Sequence, residues 1–131
     1  MTNLISFEEK ILEKLLAGDH PLLNQLRLQV GNCRVSRREF TGVGFYTYFV
    51  IEPIPDCSIR TSLKFGDVIA EIDGLQHGAG FLLYVKDGMI TMLEGYSYDE
   101  SWPEKIVNFD LSYVGGKRDW AKLKGILGEN P

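Results

Sequence analysis

The spacing of hydrophobic residues changes character along the chain. Phe7, Ile11, Leu12, Leu15 and Leu16 recur at helical spacing behind Ser6, Glu8 and Glu9, an acidic start that suits the positive end of a helix dipole, and Gly18 ends the run. A second stripe, Leu22, Leu23, Leu26 and Val30, follows with Asp19 as the expected N-cap and Pro21 in the first turn, and it stops at Gly31-Asn32. Two short amphipathic helices joined this tightly predict a hairpin that must cover an apolar surface.

From Cys33 the pattern shortens toward a period of two. CRVSRREF reads as a charged strand and FYTYFVI as an inner strand, bulky on both faces. EPIPDCS, with two prolines, is a loop, and Ile59 to Leu63 is a candidate short edge strand. Near the end, Val107, Phe109, Leu111 and Tyr113 alternate with Asn108, Asp110 and Ser112 as a half-buried strand, which Gly115-Gly116 breaks. Arg118 to Leu127 is a weak helical candidate that either covers one end of the sheet or frays.

The stretch from Phe65 to Trp102 supplies that sheet. Asp73-Gly74 and Asp87-Gly88 each sit between strand-like runs, the signature of a two-residue hairpin whose primed turn needs positive φ at both central positions. Closing both turns this way gives a three-stranded meander. It pairs Ala70 with His77, Phe81 with Glu94 and Ala79 with Tyr96, so one core face carries two polar intruders, His77 and Glu94. Gly80 falls opposite Gly95, which marks a bend or a close approach. Ile69, Leu82, Tyr84, Met89 and Leu93 fall on the other face, an apolar patch suited to a partner or to homodimerisation.

The predicted fold is therefore α+β: an N-terminal helical hairpin packed on one face of a curved, mainly antiparallel sheet of about five to six strands. A single domain is expected, with the hairpin in 1–32, the sheet in 33–114 and a C-terminal tail or short helix in 115–131.

Composition narrows the function classes more than it selects one. With 131 residues, 44% hydrophobic and a net charge of -4, the chain can bury a core and offers no basic patch for nucleic acid or an anionic membrane. No stretch approaches the roughly 20 apolar residues of a membrane-spanning helix, which points to a cytoplasmic protein. The two cysteines, Cys33 and Cys57, lack metal-ligand spacing and are expected as reduced thiols. Phosphate-binding glycine loops, nucleophile elbows and His-Glu-x-x-His are absent, so no cofactor or metal is expected and enzyme chemistry is not the default.

The candidate site residues follow from this register. Glu94, facing the core, is either a tuned carboxylate that anchors a ligand or one arm of a structural pairing with an arginine or a tyrosine hydroxyl. His77 lies about 13 Å along the strand from it, too far for a direct pair without a bulge at the glycines, and reads as a satisfied histidine near the sheet end, stacked on Tyr98. Arg37 and Arg38 protect a strand edge or meet Glu94 or a ligand carboxylate. Tyr96, Tyr98 and Trp102, with Asp99 and Glu100, combine aromatic area and negative charge, either as a binding hot spot does or as aromatic packing that closes the barrel-like end of the sheet. Glu71 lies on the opposite, mixed face beside Ile69.

The segments EFTGVGFYTYF, FGDVIAEIDGLQHGAGFLLYVKDG and MLEGYSYDESWP resemble those of a family of small, functionally uncharacterised bacterial cytosolic α+β proteins over nearly the whole chain. That resemblance implies the fold and a bacterial setting and brings no catalytic residues. In size, charge and composition the chain is also similar to immunity proteins that neutralise toxin domains. The leading expectation is a non-catalytic protein-binding module, of the immunity-inhibitor type or a homodimer. The alternative is a small-ligand-binding protein or enzyme that uses Glu94 in a pocket between helices and sheet.

Overall fold

The computed structural model describes residues 2–52 and 58–128, so Cys57 and most of the proline loop lie outside the described residues. Helix α1 (Ser6–Leu15) and helix α2 (Pro21–Val30) form the N-terminal hairpin. His20, rather than Asp19, caps α2: its Nδ1 accepts the Leu22 N–H at 3.1 Å, and its Nε2 reaches the Gly128 carbonyl at 2.7 Å. The strands are β1 (Cys33–Phe40), β2 (Gly44–Ile51), β3 (Leu63–Phe65), β4 (Val68–Ile72), β5 (Ala79–Lys86), β6 (Met89–Ser97) and β7 (Phe109–Tyr113), followed by helix α3 (Trp120–Leu127).

Among the described residues, these seven strands form one open antiparallel sheet in the order β1-β2-β6-β5-β4-β7, with β3 pairing β5 beyond the end of β4. This is the predicted α+β arrangement. The extra strand arises because β3 and β4 run past β5 one after the other, β3 opposite Leu83 to Val85 and β4 opposite Ala79 and Gly80. The N-terminal helices and α3 share one core with the inner sheet face: Ile11, Leu12, Leu15, Leu22, Leu23 and Leu26 are buried with Phe81, Leu83, Ile90, Leu93, Leu123 and Leu127. Phe7 of α1 meets the rings of Phe45, Phe81 and Phe109 with centroids 4.9–6.2 Å apart. Among the described residues no helix is long and apolar enough to cross a membrane.

Two buried glutamines fasten α2 to the β5–β6 turn. Gln25 and Gln29 both donate to the Gly88 carbonyl, and Gln29 accepts the Ile90 N–H. Gln25 also exchanges hydrogen bonds with the backbone of Ile59. These amides satisfy backbone groups that the turn leaves open, where an apolar side chain would bury them unpaired.

Both predicted hairpins need correction. At Asp87-Gly88 the turn is the expected one, with φ of 57° and 77°, and Val85 pairs with Ile90. A bulge then follows: Thr91 is the extra residue, its hydroxyl donating to the Tyr84 carbonyl, and beyond it Tyr84 pairs with Met92 and Leu82 with Glu94. The one-residue slip reverses every later side chain. Leu93, Gly95 and Ser97 turn inward, while Met92, Glu94 and Tyr96 turn outward. At Asp73-Gly74 only Gly74 has positive φ, so the turn is not the primed type and the strands do not continue directly from it. Gln76, His77 and Gly78 complete the connection, and Ala70 pairs with Ala79 instead of His77. This second shift is by two residues, so the faces of β4 are kept. His77 leaves the core face and lies exposed in the loop.

Candidate functional site

Glu94 stands on the sheet face away from the helices, half-buried among tyrosines. Register brings Tyr46 of β2 beside it on one side and Leu82 of β5 on the other. Tyr84 donates its hydroxyl to Glu94 Oε1 at 2.8 Å, and that bond, helped by burial and the nearby charge, pushes Tyr84 up to about 12. Tyr46 is also raised, chiefly by the Glu94 charge. With Tyr84 donating to Oε1, the other carboxylate oxygen can accept from a donor that approaches the face.

The next row of the face extends this patch. Tyr48 pairs with Met92, which pairs with Tyr84, and two cations cover the ends of the row: Arg37 lies 4.0 Å from the Tyr48 ring centre and Lys64 5.8 Å from that of Tyr84. On the other side, Tyr96 lies over Gly80 and meets Tyr98 edge-on at 5.9 Å. A strip from Arg37 through Glu94 to Tyr98 is thus aromatic and, among the described residues, half-buried to exposed.

Beyond Tyr98 the same face falls into a cleft of about 680 Å³ lined by Glu71, Asp73, His77, Tyr98 and Asp110. Its loop is held from below, since Glu100 accepts the Gln76 and His77 N–H groups at 2.7 and 2.9 Å, which lowers the Glu100 carboxyl below its ordinary value. No cluster of three or more His, Cys, Asp or Glu among the described residues is arranged to hold a metal.

Arg38 and Trp102 go elsewhere. A bulge at Ser36 in β1 turns Arg38 inward, where its Nε and Nη2 form a fork on Glu8 at 2.9 and 2.7 Å. Glu8, only 1% exposed, also accepts the Thr47 hydroxyl at 2.6 Å and the Ile5 N–H at 3.0 Å. Burial alone would raise the Glu8 carboxyl, but these donors and the Arg38 charge outweigh it and hold the group below the usual glutamate range. The same carboxylate and, first, burial push the Cys33 thiol up to about 11, so this buried cysteine is a poor nucleophile at neutral pH. Trp102 packs edge-on against Phe45 at 5.4 Å beside this pair.

The sequence-derived residues therefore separate into three places: Glu94, Tyr96 and Arg37 on the tyrosine strip; Glu71, His77 and Tyr98 around the cleft; Arg38 and Trp102 on the inner side. Sequence reasoning missed Glu8. The signal was present, because Glu8 shares a helical face with Ile11, Leu12 and Leu15, and a carboxylate on an apolar stripe requires a partner. Compared with known proteins, the chain matches no family model, no curated protein and no solved structure.

Proposed function

We propose that this chain is a non-catalytic protein-binding module of the immunity-inhibitor type, and that the tyrosine strip around Glu94 receives a partner surface presenting an arginine or lysine. The observation that carries this reading is the setting of Glu94, a carboxylate that accepts from Tyr84 and is flanked by Tyr46 on the sheet face away from the helices. Tyrosines give large contact area at little rotamer cost, and a carboxylate among them adds a charge-assisted hydrogen bond and cation–π contacts to an incoming guanidinium or ammonium. The bacterial, cytoplasmic setting rests on the family resemblance of the quoted segments.

Two competing readings are weaker on physical grounds. Glu94 faces away from the helices, so the expected helix–sheet pocket containing it does not form. A homodimer whose two-fold axis passes through Glu94 would bring that carboxylate against its own copy, a like-charge contact that costs affinity.

The test is affinity capture from a bacterial lysate on the immobilised protein, run side by side with Glu94→Arg, with sedimentation of the isolated chain as a control. The proposal expects a monomer that retains a specific protein, with retention falling at high salt and lost in Glu94→Arg. Equal capture by both proteins, or a stable dimer that Glu94→Arg dissociates, would overturn it.

A further inference from the structure

A second cavity, about 410 Å³, lies on the inner side of the sheet between the start of α1, the β1–β2 turn and the segment leading into β7. Its volume falls in the range of small-molecule sites, roughly 300–1,000 Å³. Phe7, Phe45, Trp102 and Phe109 form aromatic walls, and Glu8 and Arg38 are its charged pair on the buried side. Toward solvent the lining changes to Ile5, Phe40 and Val107, which are 49%, 70% and 73% exposed. Three large apolar side chains left in water around one opening are a cost that an occupant would remove.

The polar end selects the occupant. Arg38 commits Nε and Nη2 to Glu8, and Nη2 also to the Asn3 carbonyl at 3.2 Å. Its Nη1 has no hydrogen-bond partner among the described residues, and because no buried side-chain nitrogen or oxygen there is unpartnered, Nη1 is open to an incoming acceptor. Glu8 already neutralises the guanidinium. An anionic ligand would gain from Arg38 and lose to Glu8, whereas an uncharged acceptor gains without that penalty.

We propose that this cavity binds a small uncharged molecule with an aromatic or comparably apolar body and a carbonyl or amide oxygen that accepts from Arg38 Nη1. The site is separate from the tyrosine strip, since Phe45 and Tyr46 point to opposite faces of β2.

Trp102 lines the cavity, so it reports on occupancy. In a Trp120→Phe background, where Trp102 is the sole tryptophan, acetanilide as the uncharged probe should change its emission saturably, while benzoate, the anionic counterpart, binds about tenfold more weakly. Arg38→Lys keeps a cation opposite Glu8 and removes the planar fork, so it should weaken acetanilide by a similar factor. Amide shifts of the wild-type protein mapped with acetanilide should cluster at Phe40, Phe45, Trp102 and Ile106, which decides the matter even where Arg38→Lys folds poorly. Absence of saturation up to about 10 mM, shifts centred elsewhere, or undiminished binding in folded Arg38→Lys would overturn the proposal.

Discussion

Among the described residues Glu8 is the only acidic side chain that is fully buried, and what surrounds it decides how the fold responds to mutation and to acid. Removing one partner of a buried pair leaves the other charge stranded, which costs about 3 kcal/mol. The two partners are not equivalent. Arg38 keeps 23% side-chain exposure and can regain water, whereas Glu8 cannot, so Arg38→Ala should destabilise more than Glu8→Gln in urea unfolding. The pH dependence follows from the lowered Glu8 carboxyl. A group whose folded value is depressed contributes stability that is present above its unfolded value, about 4.3, and is lost as pH falls through the folded value. The stability gap between wild type and Glu8→Gln should therefore narrow steadily below about pH 4.3. A gap that stays constant through that range would show that the Glu8 charge adds nothing.

At the scale of the element, what was legible was the hydrophobic period, and what was not was a single inserted residue. Met89 to Ser97 reads with period two in either of two phases after Ile90: Met92, Glu94 and Tyr96 inside, or Leu93, Gly95 and Ser97 inside. The turn at Asp87-Gly88 extrapolated rigidly selects the first phase and buries a carboxylate. The chain takes the second, because one bulge at Thr91, whose hydroxyl satisfies the Tyr84 carbonyl, costs less than desolvating Glu94. A charge on a predicted core face was itself the sign of a register shift. The same shift separates two glycines that rigid pairing had placed opposite each other. Gly80 faces outward beneath Tyr96, and a Cβ there would lie 2.5 Å from the Tyr96 hydroxyl oxygen at the free end of a side chain that can move. Gly95 faces inward, and a Cβ there would lie 2.2 Å from the Phe45 ring inside the packed core. Gly95→Val should therefore destabilise by about 3 kcal/mol or prevent folding, and Gly80→Val by about 1 kcal/mol. Thermal unfolding that ranked them the other way would reject this register.

At the scale of the molecule, the C-terminal segment belongs to the fold as much as the helical hairpin does, and Arg118 is the reason. Its guanidinium donates to Asp67 Oδ2 at 2.7 Å and to the carbonyls of Leu15 and Ala17 at the end of α1, and it lies 4.8 Å and 5.2 Å from the ring centres of Tyr113 and Trp120. One side chain thus caps the orphan carbonyls of α1, ties the residue before β4 to the tail and packs against Trp120 of α3, which buries Leu123 and Leu127. The sequence showed a helical tendency at 118–127 but not this role, because the contacts span more than 100 residues and leave no local periodicity. Asp67 retains 25% side-chain exposure, so the loss on Arg118→Ala falls below that of a sealed pair, at about 2 kcal/mol, or roughly 6–10 °C in melting temperature for a chain of this size. Trp120 stands beside Gly18, between the tail and the helical hairpin, so its fluorescence reports whether α3 leaves first. If the tail is integral, then in a Trp102→Phe background, where Trp120 is the sole tryptophan, its emission and the far-ultraviolet circular dichroism should lose signal together in the Arg118→Ala variant, both at the lower temperature. A Trp120 transition that moves alone, with the circular dichroism midpoint unchanged, would mean that α3 is an appendage and that the core of sheet and hairpin stands without it.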